Sequence, residues 1–255
     1  MRLVLLGDPV EHSRSPAIHT AALAAVGIPG SYTARRVDAA GVRRACDEMR
    51  RGELDGANVT MPHKRVAAAA ADRLSPEASR AGSVNTLVPD DGRVIGHTTD
   101  VDGVRIAWGW AGLPEDSPVL VLGAGGAAAA AMVALEGHEV LVSGRRPGAG
   151  PAVAAALGVA CREVPWGEAV DGAVVVNATP LGMAGESLPA GLVAAAAGVF
   201  DMAYGPAATP AVVEGRRLGL PVADGASMLV AQAARSFELW TGVRAPLPVM
   251  LDAVR

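Results

Sequence analysis

The sequence predicts an α/β protein with largely parallel sheets. Short apolar runs of strand length alternate with alanine-rich stretches typical of helices, the pattern expected of repeated strand and helix units. Hydrophobic residues make up 51% of the 255 residues but aromatic residues only 3%, so the interior must be packed mainly with Ala, Val and Leu. The predicted strands are Leu3–Leu6, Gly56–Thr60, Val119–Leu122, Val140–Ser143, Ala173–Val176 and Gly198–Phe200.

Charge, cysteine content and hydropathy exclude several classes of protein. The net charge of −4 and the lack of a basic run argue against a nucleic-acid partner, because phosphate binding needs clustered Lys or Arg. Cys46 and Cys161 lack paired spacing, which favours the cytoplasm. Three glycines interrupt the uncharged run Ser117–Leu135, so we expect no membrane span. No signal-peptide pattern follows Met1, and the five histidines lack metal-ligand spacing, which predicts no metal site.

The first helix is predicted from its start and stop signals. Ser15 is the expected N-cap, Pro16 the first helical position and Gly27 the stop. Ser13 and Ser15 are therefore expected where a strand meets a helix N-terminus, which is a favourable place for an anion.

A polar cluster ends the strand Gly56–Thr60 and precedes a helix that starts at a proline. Asn58, Thr60 and Lys64 place an amide, a hydroxyl and an ammonium within seven residues of chain. Such groups can hold a small polyhydroxylated acid, although a solvated strand end with a surface lysine would carry the same residues. Short polar groups at other predicted strand-to-loop junctions, including Asn85 and Asp100, favour a binding site.

Two domains are predicted. The helical run Val101–Gly112 is expected to bridge them, and the apolar positions of Gly225–Trp240 indicate a long helix that returns the chain to the first domain. We expect residues 1–100 with 226–255 to form one domain and residues 101–225 to form the other.

A glycine-rich turn follows the strand Val119–Leu122 and opens a helix. Its residues Gly123-Ala124-Gly125-Gly126-Ala127-Ala128 match the dinucleotide-binding pattern, in which glycines permit a tight turn and let backbone N–H groups approach a pyrophosphate. A glycine turn without a ligand would share this pattern. The strand before it and the helix after it favour a Rossmann-type cofactor domain.

The cofactor is predicted from the end of the next strand. About twenty residues past the first glycine, an NAD site places Asp or Glu on the ribose hydroxyls. This chain has Ser143-Gly144-Arg145-Arg146 instead, and two guanidiniums can pair with a 2′-phosphate through forked hydrogen bonds. The sequence therefore predicts NADP, although either arginine alone would also suit a solvated loop.

Taken in chain order, these motifs resemble those of the shikimate dehydrogenase family, and the resemblance runs nearly end to end. The matching stretches are His12–Pro16, Asn58–Lys64, Val84–Thr86, Thr99-Asp100, Gly123–Ala128, Asn177–Pro180 with Gly182-Met183, Asp201–Tyr204, and Gly225 with Gln232. The resemblance implies an N-terminal α/β substrate domain with a mostly parallel sheet and a Rossmann-type NADP-binding domain, separated by a cleft.

The resemblance also implies roles for many of the matched residues. The implied catalytic pair is Lys64 and Asp100. The implied substrate-binding residues are Ser13, Ser15, Asn58, Thr60, Asn85, Tyr204 and Gln232. The implied cofactor-binding residues are Gly123, Ala124, Gly125, Gly126, Ala127, Arg145, Arg146, Asn177, Thr179, Met202 and Gly225. Hydroxyls and amides suit the ring hydroxyls of shikimate, although Asn177 and Thr179 would equally close a turn and Met202 would equally fill the core.

Two stretches depart from the family pattern. Thr98-Thr99-Asp100 stands where the family commonly has Asn-Thr-Asp, so we expect a local hydrogen bond of the first residue to be lost or altered. Gly144-Arg145-Arg146 stands where the family has Asn-Arg-Thr, which keeps one arginine in register and adds another.

The implied activity is the reversible reduction of 3-dehydroshikimate to shikimate by NADPH in aromatic amino acid biosynthesis, by a monomer or homodimer. Lys64 is expected to act as the proton donor or as an electrostatic clamp, with Asp100 holding it. Alternatives are a quinate/shikimate or amino-shikimate dehydrogenase, a folate-linked methylene dehydrogenase and a non-catalytic NADP-binding sensor. The arginine pair argues against an NAD-preferring quinate enzyme, the serines argue against a pterin, and the Lys64 and Asp100 pair argues against a sensor.

Overall fold

The computed structural model describes residues 1–205 and 207–254 and divides into two compact units. The first unit comprises Met1–Gly103 and Leu229–Arg255, and the second comprises Val104–Met228. Each unit contains a six-stranded sheet with helices in contact with it, so the predicted α/β class is confirmed.

The first unit carries the N-terminal elements of the chain. In order, they are β1 (Arg2–Gly7), α1 (Ser15–Ala25), β2 (Ser31–Arg36), α2 (Ala39–Arg50), β3 (Gly56–Val59), α3 (Lys64–Ala70), β4 (Arg73–Leu74), α4 (Pro76–Ala81), β5 (Thr86–Asp90), β6 (Arg93–His97) and α5 (Thr99–Ala111). The residues of α5 from Val104 onward belong to the second unit.

The sheet of the first unit has the order β2-β1-β3-β5-β6-β4 and mixes two strand directions. β1 is parallel to β2 and to β3, whereas β5 is antiparallel to β3 and to β6. The antiparallel pairing of β3 with β5 places Asn58 opposite Thr86. On one side of the sheet, Val42 and Met49 of α2 and Ala67 of α3 join Val4 and Val59 in a buried apolar cluster.

The predicted N-cap of α1 is wrong. The helix begins at Ser15, and the N-cap position is taken by Arg14, whose backbone is right-handed helical (φ −85°, ψ −8°) and whose side chain makes no capping bond. The chain thus enters the helical conformation one residue earlier than expected, and Ser13 Oγ accepts from the Ser15 N–H at 3.2 Å. The stop at Gly27 is confirmed, with φ +69° immediately after the C-cap.

The second unit carries the remaining strands. Its elements, continuing in chain order, are β7 (Val119–Leu122), α6 (Gly126–Ala134), β8 (Val140–Ser143), α7 (Ala149–Leu157), β9 (Arg162–Glu163), β10 (Val174–Asn177), β11 (Gly198–Asp201), α8 (Pro210–Arg217), β12 (Val222–Asp224) and the start of α9 (Gly225–Thr241). From Leu229 onward α9 belongs to the first unit, as does α10 (Leu247–Asp252).

The sheet of the second unit is parallel throughout and has the order β9-β8-β7-β10-β11-β12. β7, β8, β10 and β11 are buried along their whole length, as expected of central strands covered on both faces. The strand order reverses between β7 and β10, which is the point where doubly wound sheets bind ligands beyond the carboxyl ends of their strands. The predicted Rossmann-type domain is confirmed, and the glycine-rich turn follows β7 at this point.

Among the residues that the structure describes, no helix has both the length and the apolar character needed to cross a bilayer. In the same part of the chain, no group of three or more His, Cys, Asp or Glu side chains is arranged to hold a metal ion.

Candidate functional site

The Lys64 ammonium and the Asp100 carboxylate form a close ion pair in the first unit. Lys64 Nζ lies 2.5 Å from Asp100 Oδ2, and only 28% and 15% of the two side chains is exposed. Lys64 begins α3, and Asp100 lies in the first turn of α5. A helix N-terminus attracts a carboxylate and repels an ammonium. Asp100 is therefore favoured where it lies, and it compensates the unfavourable position of Lys64.

Lys64 is the only lysine among the 22 Lys and Arg residues of the chain. Every other basic position carries arginine, whose guanidinium stays protonated in proteins, whereas an ammonium can give up a proton. This count singles out Lys64 from the sequence, and the motif-based prediction did not use it.

Asn85 connects the Asp100 carboxylate to α9. Its Nδ2 lies 3.0 Å from each of Asp100 Oδ1, Thr99 Oγ1 and Gln232 Oε1. Its Oδ1 accepts from the Thr99 N–H at 2.8 Å. The structure thus brings the predicted residues Asn85, Asp100 and Gln232 into one hydrogen-bonded cluster with Lys64.

Asn58 is buried, and its amide is bonded within the protein. Its Oδ1 accepts from the Tyr32 hydroxyl at 2.8 Å. Its Nδ2 lies 3.0 Å from the Asn85 carbonyl oxygen, 3.0 Å from Thr86 Oγ1 and 3.1 Å from Ser236 Oγ. Asn58 stays a predicted substrate-binding residue. Thr86 and Ser236 were not among the predicted site residues, because buried hydroxyls in a strand and a helix leave no recognisable spacing in the sequence.

The loops after β1 and β3 lie together at one edge of this sheet. The Asp8 N–H donates to the Met61 carbonyl oxygen at 3.0 Å, which joins the two loops directly. Thr60 lies in the loop after β3, Ser13 lies in the loop after β1, and Ser15 begins α1. The structure therefore places these three predicted residues on neighbouring segments, and their contact with a substrate stays a prediction.

The glycine-rich turn of the second unit joins β7 to α6. Gly123 has φ +114°, and a Cβ there would lie 3.0 Å from the Ala178 carbonyl oxygen, so both conformation and space require glycine. Gly125 is the N-cap of α6 and has no side-chain capping bond. Gly125, Gly126 and Ala127 are exposed, and a Cβ on either glycine would meet no atom within 4 Å. This uncovered helix start fits a pyrophosphate.

Arg145 and Arg146 follow β8, the strand beside β7. Leu122 pairs with Ser143 in register, and the Gly123 N–H donates to the Ser143 carbonyl oxygen at 2.8 Å, so the two loops start side by side. Both arginines are exposed. Two exposed guanidiniums next to an open helix start fit the 2′-phosphate of NADP.

One carboxylate near these arginines was missed by the sequence reasoning. Glu163 of β9 accepts through Oε1 from the Gly148 N–H at 2.6 Å, at the N-cap of α7. Glu163 pairs with Val142 of β8, which brings it to the loop that carries the arginines. Spacing along the chain does not reveal this carboxylate, because β9 reaches the loop through strand pairing.

Asn177 organises the loops that follow β10 and β11. Its Nδ2 donates to Asp201 Oδ1 at 2.8 Å, and its Oδ1 accepts from the N–H and the hydroxyl of Thr179 at 3.1 and 2.6 Å. The Met202 N–H donates to the Asn177 carbonyl oxygen at 3.0 Å. The predicted residues Asn177, Thr179 and Met202 therefore lie together in the second unit.

Asp201 is a fully buried carboxylate to which no role was predicted. Besides Asn177, it accepts from the Ala203 N–H at 3.0 Å and from Thr209 Oγ1 at 2.5 Å. Burial raises the pKa of the Asp201 carboxyl, and the hydrogen bonds from Thr209, Ala203 and Asn177 oppose that rise. Asp201 thus holds two loops of the second unit together, and its carboxylate oxygens are the hydrogen-bond acceptors in each of these contacts.

Gly225 begins α9 against the loop after β11. A Cβ there would lie 2.6 Å from the Ala203 carbonyl oxygen, so a larger residue would displace this loop. Tyr204 follows in the same loop and is half-buried. The roles predicted for Gly225 and Tyr204 stay predictions.

Two protein domain families match parts of the chain. The shikimate dehydrogenase substrate binding domain matches residues 5–87, and the shikimate 5′-dehydrogenase C-terminal domain matches residues 225–255. A shikimate dehydrogenase (NADP(+)) of Thermus thermophilus is 40% identical over 260 residues, which cover 100% of this chain and 98% of that relative.

Solved structures give the same result. Shikimate 5-dehydrogenase from Thermus thermophilus in complex with NADP(H) and shikimate superposes with a TM-score of 0.91 and 39% identity, covering 100% of this chain and 98% of that one. Shikimate 5-dehydrogenase from Listeria monocytogenes in complex with shikimate and NAD gives a TM-score of 0.86 and 28% identity, covering 98% of this chain and 95% of that one. By full-length identity and by fold, the chain belongs to the shikimate dehydrogenase family.

Proposed function

We propose that the protein catalyses the reversible reduction of 3-dehydroshikimate to shikimate by NADPH, a step of aromatic amino acid biosynthesis. The observation that carries this proposal is the Lys64–Asp100 ion pair with Asn85 bonded to the same carboxylate. An ammonium, a carboxylate and the Asn85 and Gln232 amides offer donors and acceptors for neighbouring ring hydroxyls and for a ketone oxygen that becomes a hydroxyl. Membership of the shikimate dehydrogenase family supports the choice of substrate.

Substrate binding is assigned to the first unit, in keeping with the predicted domain of residues 1–100 with 226–255. Ser13 and Ser15 hold the substrate carboxylate. The ring hydroxyls are bound by Asn58, Thr60, Asn85 and Gln232. Hydroxyl and amide groups suit this task because each can donate to and accept from an alcohol.

Cofactor binding is assigned to the second unit, in keeping with the predicted domain of residues 101–225. The exposed backbone of Gly125–Ala127 takes the pyrophosphate, and Arg145 and Arg146 take the 2′-phosphate. The segment from Gly123 to Ala124 completes the turn. The nicotinamide side is formed by Asn177, Thr179, Met202 and Gly225.

The chemistry divides between cofactor and protein. Bound NADPH supplies a hydride to the ketone carbon of the substrate. Lys64 stabilises the negative charge that develops on the ketone oxygen and gives that oxygen a proton, which completes the hydroxyl. Asp100 keeps the ammonium in place and compensates its charge. In the reverse direction the neutral amine of Lys64 takes the proton back.

A second candidate is a quinate/shikimate dehydrogenase that also uses NAD. One observation favours the use of NAD: the family member from Listeria monocytogenes was solved with shikimate and NAD. Amino-shikimate remains a third ring acid that the same side chains would suit.

A substrate panel tests the proposal. Shikimate, quinate and amino-shikimate are each assayed with NADP and with NAD, following absorbance at the band of the reduced cofactor. We expect the highest kcat/KM for shikimate with NADP. The Lys64→Ala protein, purified in the same way, controls for host enzyme in the preparation. Equal or better turnover of quinate with NAD would favour the second candidate, and NADPH binding without turnover of any acid would favour a non-catalytic sensor.

We expect the protein to act in the cytoplasm as a monomer or homodimer. Cys46 and Cys161 are free thiols, and burial raises the pKa of the Cys46 thiol to about 11, so Cys46 is an unreactive packing residue. Such thiols suit a reducing compartment. Light scattering on the purified protein gives the mass of one chain or of two.

A further inference from the structure

The hydroxyl of Thr86 lies between two side-chain amides of the candidate site. Thr86 begins β5 opposite Asn58 of β3 and is fully buried. Thr86 Oγ1 lies 3.0 Å from Asn58 Nδ2 and 3.1 Å from Asn85 Oδ1. A buried hydroxyl needs hydrogen-bond partners. Here both partners are residues proposed to bind the substrate.

Chemistry fixes the direction of these two bonds. An amide nitrogen only donates and an amide oxygen only accepts, whereas a hydroxyl accepts and donates with a single proton. Thr86 therefore accepts from Asn58 Nδ2 and gives its proton to Asn85 Oδ1.

Backbone groups fix the same amide orientations independently. Asn58 Nδ2 lies 3.0 Å from the Asn85 carbonyl oxygen, which can only accept. Asn85 Oδ1 lies 2.8 Å from the Thr99 N–H, which can only donate. The two amides are thus oriented by groups whose donor and acceptor roles are unambiguous, and the Thr86 hydroxyl matches both.

The orientation of Asn85 decides which of its atoms faces Asp100. With Oδ1 turned to Thr86 and Thr99, Asn85 Nδ2 lies 3.0 Å from Asp100 Oδ1. A reversed amide would place its oxygen against the carboxylate, which is repulsive. The other oxygen of Asp100 holds Lys64 at 2.5 Å. A change at Asn85 is therefore transmitted to the ion pair.

We propose that Thr86 is a positioning residue for the reaction. Together with the Thr99 N–H, its hydroxyl holds the Asn85 amide in the orientation that donates to Asp100, and it thereby supports the geometry of the Asp100–Lys64 pair without touching the substrate. The inference deepens the proposed function and rests on it.

Ser236 of α9 provides a matched control. Its buried hydroxyl lies 2.8 Å from Thr86 Oγ1, 3.1 Å from both Asn58 Nδ2 and Thr99 Oγ1, and 3.0 Å from the Gln232 carbonyl oxygen. Within the described contacts it makes no bond to the side chain of Asn85. Ser236→Ala therefore removes a hydroxyl from the same buried cluster while leaving the Thr86–Asn85 bond.

The experiment compares Thr86→Val, Thr86→Ser and Ser236→Ala with the wild-type protein. Thr86→Val keeps the shape of the side chain, and Thr86→Ser keeps the hydroxyl. We measure kcat and KM for shikimate oxidation with NADP, NADPH affinity by calorimetry, and the thermal midpoint. Thr86→Val should lower kcat about tenfold and leave NADPH affinity unchanged, since one hydrogen bond to a side chain near the reacting groups is lost. Thr86→Ser should restore most of kcat, and Ser236→Ala should change kcat by less than about threefold.

Three outcomes would overturn the role of Thr86. They are a wild-type kcat and KM in Thr86→Val, an equal loss of kcat in Thr86→Val and Ser236→Ala, and a Thr86→Ser protein as slow as Thr86→Val. If Thr86→Val does not fold, Thr86→Ala replaces it, because it removes the hydroxyl without placing a methyl group against the two amides. Wild-type turnover of shikimate tests the proposed function separately, and the role of Thr86 is judged from the ratio of variant to wild type.

Discussion

The two candidate regions of the molecule are built from different parts of the chain. In the first unit, Lys64, Asp100 and Asn85 are held by bonds from one side chain to another, most of them shielded from solvent. In the second unit, the open helix start at Gly125 presents backbone groups, and Arg145 presents a solvent-exposed charge. The first region is thus preorganised by side chains and should fail when one of them changes. The second is shaped by backbone and should lose selectivity before it loses binding.

Loss of the Lys64 amine should give the largest effect. Lys64→Ala should lower kcat by about a hundredfold or more while NADPH still binds, because the proposed mechanism has this side chain act on the reacting oxygen. Asp100→Asn keeps the shape but removes the compensating charge, so its loss should be similar. Arg65→Ala is the matched control, since Arg65 is the exposed cation one position further along α3. Steady-state kinetics measures the change in kcat, and calorimetry measures NADPH binding by each variant.

Lys64→Arg sharpens this test. A guanidinium keeps the positive charge but does not give up its proton in proteins. If Lys64 transfers a proton, Lys64→Arg should be about as slow as Lys64→Ala. A Lys64→Arg protein with near wild-type kcat would identify Lys64 as an electrostatic clamp, and near-normal turnover in Lys64→Ala would remove Lys64 from the mechanism.

Loss of Arg145 should change cofactor choice more than turnover. Wild-type protein should prefer NADP over NAD by about thirtyfold to a hundredfold or more in kcat/KM, which corresponds to about 2 to 3 kcal/mol. Arg145→Ala should erase most of this preference by lowering kcat/KM for NADP while leaving kcat/KM for NAD unchanged. Arg146→Ala should have a smaller effect, because Arg145 is the arginine in register with the family pattern. Added salt should reduce the preference, since the arginines are exposed. Equal use of NAD and NADP by the wild type, or a retained preference in both variants, would contradict the assignment.

His19 should make the stability of the first unit depend on pH. The ring is fully buried, stacks on Tyr32 with centroids 4.5 Å apart, and neither ring nitrogen has a partner among the described residues. Burial lowers the pKa of His19 from 6.5 to about 3. The unfolded chain therefore binds a proton that the folded protein does not. The resulting stability is present above about pH 6.5 and is lost as the pH falls towards 3.

Denaturant unfolding at several pH values checks this. Lowering the pH from 7 to 5 should reduce the free energy of unfolding by about 2 kcal/mol through His19. His19→Phe retains an aromatic ring and should remove this part of the pH dependence of the free energy of unfolding. His12→Gln, at an exposed histidine, should leave that pH dependence unchanged. If the free energy of unfolding depends on pH equally in the wild type and in His19→Phe, His19 is accessible to protons in the folded state.

Asp201 should give the smallest effect, with the opposite sign, in the second unit. Its carboxyl has a pKa raised mainly by burial, so its contribution to stability is fully present below about pH 3.8 and is lost as the pH rises through the raised pKa. At neutral pH, the free energy of unfolding of Asp201→Asn should therefore lie within about 1 kcal/mol of the wild-type value. The free energy of unfolding of Asp201→Asn should also not show the fall with rising pH that the Asp201 carboxyl causes in the wild type. Strong destabilisation of Asp201→Asn at neutral pH would mean that the bonds from Thr209, Ala203 and Asn177 outweigh the burial of the charge.

The strands of the two units differ in how well the sequence predicts them. The bounds of β7 and β8 agree with the prediction, because uninterrupted short apolar runs are typical of strands buried on both faces. The prediction omitted β2, whose buried residue Tyr32 stands among exposed and mostly polar residues at a sheet edge, and it omitted the hairpin of β5 and β6. Half-exposed strands carry a weaker pattern, so the mixed sheet of the first unit follows less directly from sequence than the parallel sheet of the second.

The candidate site shows the same limit at the level of single residues. Lys64, Asp100 and Asn85 were predicted from short motifs, but the hydrogen bonds that join them were not. Thr86 and Ser236 are bonded although they lie 150 positions apart in the chain. Glu163 and Asp201 likewise reach their partners through strand pairing. Spacing identifies residue types near the end of one strand, whereas these contacts arise from how different elements pack.

The single lysine of the chain has a practical consequence. Apart from the terminal amine, the only amine available to acylating dyes, activated resins and aldehyde fixatives is the one held by Asp100. Coupling through amines would therefore either spare the side chains altogether or block the candidate site, and attachment through the partly exposed thiol of Cys161 avoids that outcome. Reductive methylation with ¹³C-formaldehyde would likewise place its only side-chain label on Lys64, so that one resonance reports on the ion pair without any mutation.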